Sequence, residues 1–163
     1  APKKDASNKS NNKQAKKTTK KSGSASKSKT KTTNTAQKKT TTPAGFSEND
    51  VQLLAQAVHG EARGEPYEGK VAVAAVILNR LESPSFPNTV SGIIFEPLAF
   101  TAVADGQIYL EPDEESRKAV IDAINGMDPS ENAVYYFNPE TATSKWIWSR
   151  PQIKKIGKHI FCE

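Results

Sequence analysis

An uninterrupted run of apolar side chains over residues 71–78 limits the folds open to this chain. The run mixes alanine with valine and ends in isoleucine and leucine, so a helix through it is apolar on every face. Its alanine content and its length favour a helix over a buried strand. Such a helix is stable only where other elements cover it. The sequence therefore predicts a compact, α-rich body with this helix buried inside it.

The amino-terminal segment has a different composition. Residues 1–45 contain 13 of the 23 lysines and arginines, one of the 18 acidic residues, and no leucine, isoleucine, valine or aromatic side chain. Their net charge is +12, whereas residues 46–163 carry a net charge of −7. A segment with so little to bury cannot offset its ordering entropy, so residues 1–45 are predicted to be a disordered basic linker. A single folded domain is predicted over residues 46–163.

The composition also limits the classes of partner. The lysines of the linker act either as a solvated spacer or as an attractor for an anionic polymer such as a wall polymer. No aromatic side chain is interleaved with them, so nucleic acid is not a predicted partner. No apolar run is long enough to span a membrane. The single cysteine, Cys162, and the two histidines lack metal-ligand spacing, so neither a metal nor a cofactor is predicted.

Capping signals and residue periodicity predict the order of the elements. Ser47, with Asp50 three residues later, predicts a capping box at the start of the first helix. Pro112 opens a later helix, and Gly126 suits the position just after its end. Short strands are predicted over residues 134–137, 146–148 and 158–161. Helices followed by strands predict an α+β fold, with a compact helical body and a small antiparallel β-sheet.

One carboxylate interrupts the apolar face of the first helix. Val51, Leu54 and Val58 mark that face at helical spacing, and the next position on it is Glu61. A carboxyl group that continues a buried face is desolvated, which raises its pKa and suits it to act as a general acid. Glu61 is therefore the candidate catalytic residue. The alternative is that Glu61 lies at a frayed helix end and faces water.

Further polar and aromatic side chains are candidates for binding a sugar. Aromatic rings stack on the apolar faces of pyranose rings, and amides and hydroxyls bond their polar edges. The candidate substrate-binding residues are Asn79, Phe100, Thr101, Tyr136, Asn138 and Trp148. Helix capping by Asn79 and Thr101, and a core role for the aromatic residues, are the alternative interpretations. Glu65 and Glu96 are candidates for a second active-site carboxylate.

Several of these segments, in this order, resemble the catalytic domain of the SleB/CwlJ family of spore cortex-lytic cell-wall hydrolases. The resemblance extends over residues 47–162 and is closer to SleB than to CwlJ. The matching segments are residues 59–65, 69–80, 94–103, 135–139 and 157–161.

The resemblance implies a lysozyme-like, transglycosylase-type α+β fold. It implies a lytic transglycosylase that cleaves the peptidoglycan glycan strand after muramic acid, leaves a 1,6-anhydro end, and uses Glu61 as its single catalytic glutamate. Spore cortex as substrate, action during germination and a location outside the cytoplasm are further implications. SleB-like relatives carry a peptidoglycan-binding domain where this chain has its basic segment. A two-carboxylate glycoside hydrolase and a non-catalytic wall-binding module are the alternative functions.

Overall fold

This computed structural model describes residues 45–163. The predicted basic linker over residues 1–45 lies outside the described residues, apart from Gly45, and stays a prediction. The described chain contains six α-helices, one 3-10 turn and three β-strands. In chain order these are α1 (Glu48–Glu61), α2 (Tyr67–Glu82), α3 (Val90–Ile94), α4 (Thr101–Ala104), the 3-10 turn (Gln107–Tyr109), α5 (Glu114–Ile124), β1 (Tyr135–Phe137), α6 (Lys145–Trp148), β2 (Gln152–Ile156) and β3 (His159–Cys162).

Helix α1 begins at the predicted capping box. The Ser47 hydroxyl accepts the Asp50 backbone N–H over 3.0 Å, and the Asp50 carboxylate accepts the Ser47 backbone N–H over 3.2 Å. Both groups satisfy donors that the first turn of a helix leaves unpaired. The predicted apolar face is confirmed, because Val51, Leu54 and Val58 are completely buried. This face directs the far end of α1, and with it Glu61, into the protein.

Helix α2 contains the apolar run and forms the centre of the core. Ten of its 16 residues are buried, including every residue from 71 to 77. It packs against α1 and α5. Helix α5 is capped by Asp113, whose carboxylate accepts the Ser116 N–H over 2.8 Å. Gly126 follows its end with a φ of 108°, a conformation that glycine adopts without a steric penalty.

The strands form one antiparallel sheet in the order β1-β3-β2. The central strand β3 pairs with β1 so that Phe161 lies opposite Tyr136, and it pairs with β2 across a short turn. The predictions for residues 134–137 and 158–161 are confirmed to within one residue at each end. The helical body and small antiparallel sheet confirm the predicted α+β class.

The strand predicted over residues 146–148 is wrong. These residues form the short helix α6, because the Ser144 hydroxyl caps it by accepting the Ile147 N–H. Trp146 and Trp148 remain 53% and 44% exposed, although their rings pack against Tyr135 and Phe137 of β1 with centroid distances of 5.0 and 4.8 Å. The sequence pattern also missed β2. A register shift between Gln152 and Lys154 interrupts the alternation by which a strand is recognised.

None of the helices in residues 45–163 is both long enough and apolar enough to cross a membrane.

Candidate active site

Glu61 is the last residue of α1, and its side chain is held from two other parts of the chain. Its Oε1 atom accepts the backbone N–H of Ala102, in α4, over 2.8 Å. Its Oε2 atom accepts the hydroxyl of Tyr136, in β1, over 3.2 Å. Gly60 permits this approach, since a Cβ at that position would lie 2.5 Å from the Ala102 Cβ. The helical body and the sheet therefore each donate one hydrogen bond to the Glu61 carboxyl group.

The environment of Glu61 favours its protonated form. Burial raises the pKa of its carboxyl group above the ordinary value of 4.5, and the negative charge of Asp105 adds to the increase. Hydrogen bonds from Ala102, Tyr136 and Thr101 stabilise the carboxylate and so offset part of this increase in pKa. Because the net shift is upward, Glu61 keeps its proton at a higher pH than an exposed glutamate does. This is the property required of a general acid.

The hydrogen bonds favour a proton on one of the two carboxyl oxygens. The Ala102 N–H can only donate, and it is directed at Oε1. The Tyr136 hydroxyl can donate or accept, so Oε2 can carry a proton without leaving a neighbour unpaired. A proton on Oε2 is therefore compatible with both contacts.

Tyr136 is fixed by the aromatic side chains of β3. Its ring centroid lies 4.9 Å from that of His159 and 5.8 Å from that of Phe161. Burial raises the pKa of Tyr136 well above its usual value, and the nearby charge of Glu61 adds to the effect. Tyr136 thus remains a neutral hydroxyl at physiological pH. The sheet positions this hydroxyl beside the Glu61 carboxyl group.

Glu61 opens into a groove, which we call the first lobe, with a volume of about 590 Å³. Among its described lining residues, Glu61 is the only carboxylic acid. The others are mostly polar or small, and most come from the α3–α4 loop, β1 and the loop before α6, while α2, α4 and β3 contribute one residue each. The lining residues are Glu61, Arg80, Leu98, Ala99, Thr101, Tyr136, Phe137, Asn138, Thr141, Ala142, Thr143, Ser144 and His159.

A second lobe of about 360 Å³ adjoins the first. The two lobes share four lining residues, which are Arg80, Leu98, Ala99 and Tyr136. The second lobe is more aromatic, since Phe86, Tyr135 and Trp146 also line it. Together the lobes place the Glu61 carboxyl group in one part and a cluster of aromatic rings in the other.

Three of the six candidate sugar-binding residues lie with Glu61 in the first lobe: Thr101, Tyr136 and Asn138. Their side chains come from α4, β1 and the residue directly after β1. The structure brings these residues together although 40 positions separate Glu61 from Thr101. They remain candidates for contact with a sugar.

Asn79 lies elsewhere. Its side-chain amide donates to the Asp128 carboxylate over 3.1 Å and to the Ala133 carbonyl over 2.9 Å. It lines a separate cavity of about 260 Å³, together with residues such as Phe46 and Ala123. The sequence pattern placed Asn79 near the groove because it follows the apolar run. Its position on the helix turns it instead toward the loop after α5.

Phe100 and Trp148 support the groove from outside the two sets of lining residues. Phe100 is 4% exposed, and its ring centroid lies 5.3 Å from the Arg80 guanidinium carbon. The Trp148 indole N–H donates to the Ala142 carbonyl over 3.1 Å, and its ring packs against Phe137 at 4.8 Å. Both residues therefore hold groups that line the lobes.

The two candidates for a second carboxylate have different surroundings. Glu65 lies in the turn after α1, and its buried side chain reaches the turn between β2 and β3. There its Oε2 accepts the Lys158 backbone N–H over 3.0 Å. It is not among the described lining residues of either lobe. Glu96 lines the second lobe and is exposed. Neither carboxylate shares the first lobe with Glu61.

Arg80 and His159 line the first lobe but were not among the candidates from the sequence. Arg80 lies four residues after Val76, on a face of α2 that is otherwise apolar, and this spacing was an available signal. His159 lies two residues before the buried Phe161, so both side chains point to the same side of β3. Burial lowers the pKa of His159, which favours its neutral form.

The described residues show no metal-binding cluster: no three His, Cys, Asp or Glu side chains in residues 45–163 are grouped to hold an ion. Cys162 is buried in β3, and burial raises the pKa of its thiol. A buried thiol of this kind behaves as a small apolar side chain.

Comparison with known families gives an independent assignment. Residues 64–162 match the family described as Cell Wall Hydrolase. The chain belongs to this cell wall hydrolase family. The match begins three residues after Glu61 and includes α2, α5 and the whole sheet.

Other members of the cell wall hydrolase family include close relatives of this chain. The spore cortex-lytic enzyme of Bacillus subtilis is 78% identical over 121 residues, which are 74% of this chain and 40% of the relative. That of Halalkalibacterium halodurans is 76% identical over 126 residues, covering 77% of this chain and 38% of the relative. The chain thus spans less than half the length of these two proteins. The cell wall hydrolase CwlJ of Bacillus subtilis is more distant, with 29% identity over 118 residues, covering 69% of this chain and 83% of CwlJ.

Two solved structures share the fold. The catalytic domain of the Bacillus cereus SleB protein aligns with a TM-score of 0.71 and 76% identity, covering 76% of this chain and 97% of that one. The catalytic domain of a germination-specific lytic transglycosylase, SleB from Bacillus anthracis, aligns with a TM-score of 0.72 and 75% identity, covering 75% of this chain and all of the other. The resemblance found in the sequence is thereby confirmed.

Proposed function

We propose that this chain cleaves the glycan strand of peptidoglycan as a lytic transglycosylase, with Glu61 as its only general acid and base. One observation carries the proposal. A single carboxyl group with a raised pKa lines the first lobe, and the other described residues that line this lobe include no second carboxylate. Hydrolysing glycosidases use two carboxylates, whereas a transglycosylase needs only one, because the sugar supplies its own nucleophile.

The first step is proton transfer from Glu61. Oε2 donates its proton to the glycosidic oxygen that follows muramic acid. The bond between this oxygen and C1 of muramic acid then breaks, and the departing strand leaves with a new hydroxyl group. Positive charge develops at C1, and the newly formed Glu61 carboxylate stabilises it. The Ala102 N–H and the Tyr136 hydroxyl stabilise the carboxylate in turn.

The second step closes a ring within the sugar. The 6-hydroxyl of the same muramic acid attacks C1, and its proton passes to Oε2 of Glu61. The product is a 1,6-anhydro end, and Glu61 is again protonated for the next cleavage. No water is consumed. Holding the 6-hydroxyl close to C1 gives the effective concentration that makes an internal attack faster than attack by bulk water.

The relatives support a particular substrate and location. Two of them are named spore cortex-lytic enzymes, and one solved structure is described as a germination-specific lytic transglycosylase. We therefore propose that this chain acts on spore cortex during germination, outside the cytoplasm. The basic segment over residues 1–45 would add contact with an anionic wall polymer through its excess of lysine.

The second candidate function is a hydrolase with two carboxylates. The observation that favours it is Glu96 in the second lobe, which shares four lining residues with the lobe that contains Glu61. A water molecule between two carboxylates would then attack C1 and leave a reducing end. The third alternative, a wall-binding module without catalysis, has no use for a buried carboxyl group whose pKa is raised.

The test is digestion of purified spore cortex and vegetative peptidoglycan, with mass spectrometry of the products. Transglycosylation gives 1,6-anhydro ends, which lack the mass of one water molecule relative to hydrolysis products. Glu61→Gln should abolish release, and Glu96→Gln should still give anhydro products. The exposed Glu68→Gln is the control for general damage. Reducing ends that disappear in Glu96→Gln would establish the two-carboxylate alternative instead.

A further inference from the structure

Arg80 is a buried charge that forms no ion pair within residues 45–163. It lies in the last turn of α2 and is 7% exposed. Its Nε–H donates to the Val134 carbonyl over 2.7 Å, which leaves the four N–H groups of Nη1 and Nη2. No carboxylate within residues 45–163 forms an ion pair with it, and neither Nη atom has a hydrogen bond to a described residue.

Aromatic rings hold the guanidinium in place. Its central carbon lies 5.1 Å from the ring centroid of Phe86 and 5.3 Å from those of Phe100 and Tyr135. The faces of these rings attract a cation and offset part of the cost of burying it. They cannot accept the directed hydrogen bonds that a guanidinium offers. The charge is therefore fixed and oriented, while four of its donors are left for another group.

Those donors are reachable from the groove. Arg80 is one of the four residues that line both lobes. Within the described chain, the polar side-chain atoms that are both fully buried and without a hydrogen-bond partner are Ser116 Oγ and His159 Nδ1. The Nη atoms of Arg80 also lack a partner but are not among these atoms, so they are not fully buried. The guanidinium thus stands between the part of the groove that contains Glu61 and the part lined by Tyr135 and Trp146.

Building on the function proposed above, we propose that Arg80 binds the acyl oxygen of the lactyl group on the muramic acid next to Glu61, and that the second lobe receives what is attached to that acyl group. N-acetylmuramic acid differs from N-acetylglucosamine by this lactyl ether, so the contact would select the sugar at the cleavage point. A guanidinium fork matches the two lone pairs of an acyl oxygen, or both oxygens of a carboxylate, better than it matches a sugar hydroxyl.

The acyl group occurs in three chemical forms that share this oxygen: a free carboxylate, an amide to a peptide, and a cyclic lactam. The test uses Glu61→Gln protein, which binds without cleaving, and calorimetry with glycan fragments in each form. An N-acetylglucosamine oligomer of equal length lacks the lactyl group and is the reference ligand. Fragments with the lactyl group should bind roughly 10–100-fold tighter than the reference, since hydrogen bonds to a charged donor are strong.

Variants at Arg80 separate recognition from support of the fold. Arg80→Gln in the Glu61→Gln background should reduce binding of the lactyl fragments to the level of the reference and leave the reference unchanged. Arg80→Lys keeps the charge but not the forked guanidinium, so it should lose an intermediate part of the affinity for lactyl fragments. If Arg80→Gln does not fold, this intermediate loss in Arg80→Lys tests the proposal. The form of the fragment that loses most affinity identifies the natural acyl group.

Arg150→Gln is the matched control. Like Arg80, Arg150 donates its Nε–H to a backbone carbonyl and stacks on Tyr135, but it is not among the described lining residues of either lobe. Its loss should leave all affinities unchanged. An equal loss of affinity by Arg80→Gln for the lactyl fragments and the reference would overturn the proposal, because support of the fold alone predicts it. If Glu61→Gln still lyses the wall, the proposed function fails, and the binding comparison is then made with fragments too short for the variant to cleave.

Discussion

Glu65 Oε2 accepts the backbone N–H of Lys158 over 3.0 Å, which joins the turn after α1 to the turn between β2 and β3. The Glu65 side chain is 7% exposed, and its Oε1 lies 4.0 Å from Nδ1 of His159. This contact lies four residues from Glu61 and fixes the strand that carries His159. Glu65 therefore links the Glu61 end of α1 to the sheet that positions Tyr136.

Gly157 is required for that contact, and we predict that Gly157→Ala destabilises the fold. An added Cβ would lie 1.9 Å from Glu65 Oε2, and the residue has a φ of 58°. Together these effects should cost roughly 2–4 kcal/mol of unfolding free energy, measured by urea denaturation. Gly106→Ala is the control, because its φ is 83° but no atom lies within 4 Å of the added Cβ. Equal losses in the two variants would argue against the collision.

Glu61→Gln should abolish wall lysis and stabilise the protein at neutral pH. Because the pKa of folded Glu61 is raised above 4.5, the folded state loses stability as pH rises from the unfolded pKa through the folded one. Glutamine has no such loss and can still accept the Ala102 N–H. The gain should be on the order of 0.5–2 kcal/mol at pH 7 and should vanish below the ordinary pKa. Urea denaturation at pH 7 and at a pH below the ordinary glutamate pKa measures this gain in stability. A gain that persists at the acidic pH would contradict the prediction.

Tyr136→Phe should move the alkaline limb of the activity profile to higher pH. The Tyr136 hydroxyl stabilises the Glu61 carboxylate and lowers its pKa, so its removal raises that pKa further. The maximal rate should fall roughly fivefold, because about 1 kcal/mol of stabilisation of the carboxylate is lost. The loss of turbidity of a peptidoglycan suspension across a pH series measures both effects. The exposed Tyr109→Phe should keep the wild-type profile, and an unmoved limb in Tyr136→Phe would refute the coupling.

Leu98 is a strained and fully exposed residue that lines both lobes. It has a φ of 67° and 102% relative exposure. We predict that Leu98→Gly raises the unfolding free energy by up to about 1 kcal/mol, since glycine adopts this φ without strain. Its KM for long glycans should rise roughly fivefold through the lost apolar contact. Leu98→Ala should raise KM equally without the gain in stability, and unchanged KM in both variants would exclude contact with the glycan.

Asn79→Ala should act on stability rather than on glycan binding. Its two hydrogen bonds to Asp128 and Ala133 are partly buried, and their loss should cost roughly 1–3 kcal/mol of unfolding free energy. Asn138→Ala is the comparison, because Asn138 lines the first lobe and its side chain accepts the exposed Glu140 N–H over 2.9 Å. That variant should change KM more than stability. If Asn79→Ala instead changed KM more than stability, Asn79 would again be a candidate for binding the glycan.

Local signals were sufficient for most of the helices. The Ser47–Asp50 capping box, the apolar run in α2 and Gly126 after α5 each depend on residues close in sequence, so the pattern contains all the information needed. The same holds for the position of Glu61, since it follows from the spacing of Val51, Leu54 and Val58. Residues 146–148 show the limit of such signals, because a single cap at Ser144 outweighed the strand preference of their side chains.

The sequence by itself determined that α2 is the buried central helix and that Glu61 lies at the end of the apolar face of α1. It also determined that residues 1–45 have no large apolar side chains to bury. The tertiary structure alone decided which side chains surround that acid. Ala102 and Tyr136 bond the Glu61 carboxyl group from separate elements, 41 and 75 residues away in the sequence. Burial and hydrogen bonding at a site are sums over such distant neighbours, whereas periodicity and capping report only the nearest few residues.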